Sequence, residues 1–559
     1  MKLTSFACTL LAGVFAASQH EQPPLQHNKP VEIAIIGAGA AGSSAAYYLS
    51  QYARNASIPI NITLFEANSY IGGRSTTVNA YDLSDEDIST INELAPDLEH
   101  EYTVELGASI FVSVNQILQD ALTTFNLSTK SGDDNPKGHK GSQLGVWDGD
   151  KFVVELDGSL NGYWDVAKLL WRYGLAPVKT QRLMKKVVGK FLNMYEEPTF
   201  PFKSITAAAQ AVGLLAVTAA TGEQYMRENG ITGPFGREIV QASTRVNYAQ
   251  NLEHIHGLEA MVCMATDGAM AVEGGNRRIF ASMVKASGAN VFLNKQVHDI
   301  QETGPDGYTV QARSADSDDV LISTADHIIV AGPWQYTNLT FNSTKTKTFQ
   351  PPDQIPYVQL HVTLFTSTHL LNPAFFGLSH DKVVPQVILT TLPSGSPTQP
   401  GNQTAGKPGF FSISLLRSIL NPHSGADEYL YKVFSPHAPT SAWLDELLGI
   451  KPENSNPNRN ADDITWLYRK VWDSYPYEYP RVTFEDAKLE EGLWYTGGMD
   501  SFISTMETNA LMGRNVARLI VDEEEKWREM EGRWDEGRDG YGEEGRRKLL
   551  AGESEKEDL

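Results

Sequence analysis

The first clear element is Val31-Glu-Ile-Ala-Ile-Ile36, a β-branched run that passes through glycines into the helix-forming stretch Ser43 to Tyr52. A short run with almost no polar position suits a strand covered on both faces, as in a parallel sheet flanked by crossover helices. A second run, Ile60 to Phe65, ends at Glu66 and completes a strand-helix-strand unit. From about Gln116 to Gly257 the apolar positions recur mainly at helical spacing. Within that stretch, Val178 to Tyr195 carries Met184, Val187, Val188, Phe191 and Tyr195 at helical intervals, with Lys179, Arg182, Lys185, Lys186 and Lys190 around them. Alternation returns from Val291 to Val330, read as a meander of short strands turning at Gly304-Pro-Asp-Gly307 and closing on the apolar strand His327 to Ala331. A strand-rich region follows from about Tyr357 to Lys432, broken by the Pro/Gly/Ser/Thr-rich loop Leu392 to Gly409. Leu493 to Ile520 reads as a strand, a glycine turn and a helix. Residues 523–559 are dense in charge and glycine, which predicts a frayed helix passing into a disordered tail.

Length and composition narrow the class. A chain of 559 residues, 41% hydrophobic and 20% charged, can bury more than one domain's core. A formal net charge of −22 argues against nucleic acid as the main partner, because phosphate binding needs clustered positive charge. Against that background the basic helix around Lys185 is a candidate peripheral membrane element. Nothing in the sequence points to an obligate protein partner.

Lys2, the apolar run Leu3 to Ala17 and the small residues before Gln19 have the layout of a signal peptide over residues 1–18. No later run reaches the roughly 18 apolar residues of a membrane span. The cysteines are Cys8, inside that leader, and Cys263, so no internal disulfide is expected after its removal. Asn55, Asn126, Asn338, Asn342 and Asn402 head glycosylation sequons, as does Asn61, which opens a predicted strand and is the poorer acceptor. The expected location is the secretory pathway, ending in a lysosome or vacuole or outside the cell.

The chemistry concentrates around glycines. Gly37-Ala-Gly39-Ala-Ala-Gly42 lies between the first strand and its helix, and Glu66 ends the next strand. These glycines allow a tight turn and close approach of a pyrophosphate to a helix N-terminus, while the acid can accept from a ribose hydroxyl. Ile71-Gly72-Gly73-Arg74 follows, and further along stand Glu105-Leu-Gly107-Ala108-Ser109, Val297 after Asn294-Lys-Gln296, Gly332, and Trp494-Tyr-Thr-Gly-Gly498-Met499-Asp500 ahead of a helix that includes Met506. In this order the pieces resemble the amine-oxidase-like flavoprotein superfamily. That likeness implies FAD, with Arg74 near the flavin or pyrophosphate, Gly107 to Ser109 beside the flavin, Val297 clamping adenine and the last helix N-terminus facing the flavin pyrimidine.

Leu169-Leu-Trp-Arg-Tyr-Gly174, Thr244-Arg-Val-Asn-Tyr-Ala-Gln250, Gly268-Ala-Met-Ala-Val-Glu-Gly-Gly-Asn276 and the terminal segment with Met506-Glu507 resemble the prenylcysteine oxidase (prenylcysteine lyase) family. Ala249 and Ala108 stand where that pattern leads one to expect glycine. The resemblance implies oxidation of an S-prenylated cysteine by O2 and water to a prenyl aldehyde, cysteine and hydrogen peroxide. Arg245, Asn247, Tyr248 and Gln250 form a polar-aromatic cluster expected to border the flavin or the cysteine head group, with Arg245 pairing a carboxylate and Glu273 or Asn276 positioning the attacking water. His254 and His256 lack a third ligand at a recognisable spacing, so no metal is expected.

The expected fold is α/β: a Rossmann-like two-part FAD domain from residues 31–115, 268–335 and 490–520. It is interleaved with a mixed α+β substrate domain whose helical part is 116–267 and whose strand-rich part is 336–489. Two other readings remain: an oxidase of an amine or isoprenoid secondary metabolite, and a non-catalytic prenyl-binding escort related to GDI proteins.

Overall fold

The computed structural model describes residues 29–94, 102–131, 140–157, 163–304, 307–314, 317–343, 349–450 and 463–536. The leader at 1–18 and the tip of the turn at 305–306 lie outside them.

The first strand, Val31–Ile36, sits at the centre of a six-stranded sheet in the order 488–490, 493–495, 327–330, 31–36, 60–65, 290–292. Its neighbours Ile60–Phe65 and His327–Val330 are both parallel to it, in register Ile36 to Phe65 and Ile36 to Val330. Three stretches distant in sequence therefore build one sheet, whose strand ends converge on the glycine loop after Ile36. The strand His327–Val330 is buried at every position, as its unbroken apolar run requires. Beside it Gln296–Glu302, Tyr308–Ser314 and Ser317–Ala325 form an antiparallel meander, edged by Thr340–Asn342.

The helix Ala40–Asn55 buries a face of small residues, including Ala41, Gly42, Ala45 and Ala46. The terminal helix Met506–Glu536 lies directly on it: a Cβ on Gly513 would come within 2.1 Å of the Ala41 carbonyl, and Ser44 Oγ donates to the Ala510 carbonyl at 2.6 Å. Only a small-residue seam lets the two backbones approach so closely.

The other main sheet has seven strands, ordered 466–476, 357–367, 427–435, 412–420, 387–390, 144–147, 152–156. Its two faces feed different apolar clusters. Val358, Leu360, Val362 and Leu364 join Tyr102, Leu106 and Ala249, whereas Phe365, Tyr431 and Val433 pack with Trp147, Phe376 and Leu447. The first face packs against Tyr102 and Leu106, so it is covered by an apolar layer.

Three expectations change. Leu144–Trp147 and Phe152–Leu156 lie in the stretch expected to be helical but edge the seven-stranded sheet, because Leu144–Trp147 gains a parallel ladder with Val387–Thr390. Thr340–Asn342 pairs with the meander although it falls past residue 335. The terminal helix runs on to Glu536, well into the segment expected to fray. Glu524 is buried there and bonds His327 Nε2 at 2.9 Å, a tertiary partner that charge density along the chain does not reveal. Among the described residues no helix is long and apolar enough to cross a membrane.

Candidate functional site

The loop after the first strand is shaped by backbone demands. Gly37 has φ +103° and its N–H donates to the Phe65 carbonyl at 2.8 Å. A Cβ on Gly42 would stand 1.9 Å from the Gly37 carbonyl, so any side chain there would push the helix off the loop. Gly39 caps the helix without a side-chain bond, which leaves first-turn N–H groups for an anion. The Gly72 N–H donates to the Ala38 carbonyl at 2.9 Å, and a Cβ on Gly73 would lie 3.1 Å from Gly39 Cα. The two glycine motifs thus face each other as one cradle.

Glu66, 5% exposed, aims into this cradle. Its Oε2 accepts from Ala38 N at 2.8 Å, and Oε1 accepts from Asn68 N at 2.8 Å and Asn68 Nδ2 at 2.6 Å. Its backbone meets the strand that carries Val297, because Lys295 N donates to the Glu66 carbonyl at 2.9 Å. Val297 is itself buried, and its ladder slips just beyond it, between Val297 and Asp299. At the neighbouring strand end, Gly332 has open space where a Cβ would go, while the Ala331 carbonyl presses to 3.0 Å of a Cβ on Gly37. A glycine cradle, an uncapped helix start and a buried carboxylate together fit the ADP half of FAD.

Arg74 grips Asp500 through Nη2 at 2.7 and 3.0 Å and donates to the Ser474 carbonyl at 2.8 Å. Asp500 also accepts from Tyr357 Oη at 3.2 Å and Asn509 Nδ2 at 2.8 Å. This pair ties the first nucleotide-binding piece to the last and to the seven-stranded sheet. Near it Met499 is buried and Met506 half-buried, while a Cβ on Gly498 would come 2.6 Å from the Glu485 carbonyl. The buried Glu507 accepts from Ile117 N, Leu118 N and Tyr195 Oη, fixing the helix 116–125 against the terminal helix.

Gly107, Ala108 and Ser109 are held by residues that sequence reading did not connect to them. Lys432, buried on the inner face of the seven-stranded sheet, donates to the Glu105 carbonyl at 2.8 Å and to Ser109 Oγ at 2.7 Å. Asn276 Nδ2 donates to the Ala108 carbonyl at 2.8 Å, and Asn276 N donates to Glu105 Oε1 at 2.5 Å. Burial pushes the Glu105 carboxyl up and the Lys432 ammonium down, each moderated by the other's charge. Ala108 has φ +45°, a left-handed conformation.

Beside this segment a cleft of about 250 Å³ is lined by Tyr70, Val78, Leu106 and Tyr468 and by the cations Arg277 and Lys470. Thr76, Thr77 and Asn79 add polar groups to the same lining. Arg277 Nε donates to Thr77 Oγ1 at 3.2 Å.

The cluster expected at the head group divides. Arg245 is fully buried, and its five donor contacts go to Thr390 Oγ1, Asn251 Oδ1 and the carbonyls of Thr404, Ala405 and Phe410. No N–H is left for a substrate carboxylate, so Arg245 ties down the loop at 404–410 instead. Asn247 is exposed and bonds back to the Ser243 carbonyl at 2.9 Å. Gln250 likewise bonds backbone, donating to the Pro476 carbonyl and accepting from Glu478 N. Tyr248 does reach the nucleotide side: its hydroxyl donates to the Ser504 carbonyl at 3.2 Å and its ring meets Tyr475 edge-on at 5.3 Å. Glu273 contributes its backbone, N–H to Ser128 and carbonyl to Arg278, so of the two water-positioning candidates only Asn276 joins the Gly107–Ser109 segment.

A buried polar nest was also missed. His256 caps the helix 257–262 through Nδ1, which accepts from Glu259 N at 3.1 Å, and its Nε2 lies 3.4 Å from Glu478 Oε2. Among the described residues neither Glu259 oxygen has a hydrogen-bond partner of ordinary geometry, although the Tyr248 side chain and the Ser504 backbone lie close enough to favour its charged form. Burial, then the neighbouring Glu478, pushes Glu259 up to about 8, while burial pushes His256 down to about 4. Both are therefore neutral at pH 7. His254 and His256 form no metal cluster, and none is found among the described residues.

The family described as Prenylcysteine lyase matches residues 157–535, and that described as NAD(P)-binding Rossmann-like domain matches 35–125. The chain is 27% identical to a farnesylcysteine lyase of Arabidopsis thaliana over 513 residues, covering 89% of each. It is 26% identical to prenylcysteine oxidase 1 of Homo sapiens over 511 residues, covering 88% of each. Among solved structures, a putrescine oxidase double mutant aligns with a TM-score of 0.51 at 14% identity, covering 88% of this chain and 100% of that one. A fatty acid isomerase from P. acnes aligns at 0.52 and 11%, covering 88% and 98%. At such identities the structural likeness establishes the α/β fold alone.

Proposed function

This chain belongs to the prenylcysteine lyase family, and from that premise we propose that it is an FAD-dependent thioether oxidase that cleaves S-prenyl-L-cysteine. The overall change is S-prenylcysteine plus O2 plus water to prenyl aldehyde, cysteine and hydrogen peroxide. FAD, which Glu66 and the paired glycine motifs would hold, would supply the two-electron redox chemistry at the carbon attached to sulfur, with O2 as the final acceptor.

The observation that carries the reading is the cleft that Leu106 lines, with Val78, Leu106 and Tyr468 as its apolar contacts, Thr76, Thr77 and Asn79 as polar ones, and the cations Arg277 and Lys470. A prenylcysteine has matching parts, a long apolar chain and a small zwitterionic head. Glu66 and the paired glycine motifs hold the nucleotide, while Lys432, Glu105 and Asn276 fix the backbone of 107–109 that borders the cleft. With Arg245 fully engaged elsewhere, Arg277 and Lys470 are the cations assigned to the cysteine carboxylate.

Replacing Arg277 or Lys470 with Ala should raise KM for the free acid several-fold while leaving the methyl ester nearly unaffected. Equal effects on acid and ester would remove these residues from that role. The apolar leader and the exposed sequon residues Asn55, Asn126, Asn338 and Asn342 support passage through the secretory pathway toward a lysosome, vacuole or the exterior. For Asn402 the supporting feature is the sequon alone. An unchanged gel mobility after glycosidase treatment of natively secreted protein would contradict glycosylation.

A further inference from the structure

One helical hairpin presents apolar side chains and unpaired cations to solvent. In the helix Tyr163–Tyr173 and the turn that follows, Trp171 is 91% exposed, Leu175 66%, Val166 53% and Leu170 37%. This face is fixed outward by the fold. Tyr173 is buried edge-on against Phe235 at 5.3 Å and donates to Glu238 at 2.5 Å, a carboxylate that also pairs with Arg172. With Tyr173 held inward, Trp171, two positions earlier and so on the opposite side of the helix, is held in solvent. Gly174, at φ +57°, then turns the chain into the basic helix Ala176–Leu192.

That helix buries Leu183, Met184, Val187 and Phe191 and leaves Lys179, Arg182, Lys185 and Lys186 exposed. Leu175, Lys179, Arg182 and Lys186 follow at helical spacing, so the apolar residue and the cations share a stripe. Lys179 donates to the Gly230 carbonyl, but among the described residues Arg182, Lys185 and Lys186 meet no acidic partner. Lys168 and Arg172 are paired with Asp157 and Glu238, so the free positive charge sits on the second helix.

We propose that this hairpin docks the protein on an anionic phospholipid bilayer. Trp171 and Leu175 enter the headgroup region, and Arg182, Lys185 and Lys186 meet the headgroup charge. Tryptophan favours that depth because its ring is apolar and its N–H polar. In a chain of net charge −22, only a local cluster of unpaired cations can overcome repulsion from such a surface. The contact does not depend on which substrate the site takes.

The test uses the full flavin-bound chain with phosphatidylserine–phosphatidylcholine vesicles and with pure phosphatidylcholine vesicles. It should co-sediment with the former, and raised salt should release it. Trp171→Glu, and the triple change Arg182→Gln, Lys185→Gln and Lys186→Gln, should each weaken binding about tenfold or more. Lys382→Gln, an exposed cation on another loop, should bind as the parent does. Brominated lipid should quench a fluorescence component that Trp171→Phe removes, a readout insensitive to folding losses. Absence of binding to anionic vesicles at low salt, or variants that bind like the parent, would overturn the proposal. So would a concentration-dependent dimer that Trp171→Glu dissociates, which would assign the face to a second copy.

Discussion

Glu66→Gln isolates what the buried carboxylate does. The native side chain accepts from Ala38 N through one oxygen and from Asn68 N and Nδ2 through the other, at 5% exposure. Glutamine has nearly the same shape but a single acceptor oxygen. That oxygen best serves the two Asn68 donors, leaving the amide NH2 opposed to the Ala38 N–H inside the glycine loop. The variant thereby loses a charge-assisted acceptor in the loop and for the ribose. Such bonds contribute about 1.5–3 kcal/mol each, and about 1.4 kcal/mol is tenfold in affinity, so the Kd for FAD should rise roughly ten- to hundredfold. The assay is titration of deflavinated protein with FAD, followed by quenching of flavin fluorescence, with thermal melting of the apoprotein in parallel. A melting temperature that falls while Kd for FAD stays unchanged would refute the reasoning and leave Glu66 as a staple of its own loop.

Ala108→Gly should stabilise the protein by roughly 0.5–1 kcal/mol in urea unfolding, because a left-handed alanine costs about 1–2 kcal/mol and glycine's extra chain entropy returns only part of it. Ala249, at φ +54° but buried in the apolar layer, also loses a packed methyl on the same change, worth about 0.8 kcal/mol, so Ala249→Gly should be nearly neutral. Arg245→Lys should lower stability by about 2 kcal/mol or more, through carbonyls left unsatisfied, without changing KM of the folded enzyme. Glu259 is held up near 8, well above its unfolded value, so its contribution is fully present at low pH and is lost as pH rises through about 4 to 8. Glu259→Gln should therefore melt close to the parent at pH 5 and above it at pH 8, and a constant gap between the two would contradict a neutral buried acid.

The glycine cradle was legible as a backbone shape because its signals are local. Gly37, Gly39, Gly42 and Glu66 stand within one strand-helix-strand unit, and the chain geometry there admits few alternatives. Long-range partners were not legible. Lys432 sits over three hundred residues from Ser109 in a strand whose pattern marks it only as an interruption, and nothing nearby announces that it will meet the Glu105 carbonyl. Arg245 misled for the complementary reason. A polar-aromatic helix end looks like a site, whereas its acceptors are carbonyls of an aperiodic loop at 404–410 that no spacing rule connects to it. Ala108 and Ala249 were noticed as departures from glycine, but only the backbone explains them, since both adopt positive φ. In the terminal helix, charge suggested fraying, while the buried Glu524 to His327 contact holds the helix against the central sheet.

The central claim is tested most directly by incubating purified, flavin-loaded protein with S-farnesyl-L-cysteine in air and measuring hydrogen peroxide, farnesal and free cysteine in the same sample. The account predicts all three products in equal amounts, dependent on O2. Binding of the substrate without turnover would mark an escort protein. Peroxide formed from an amine or another isoprenoid while the thioether stays intact would contradict the assigned reaction.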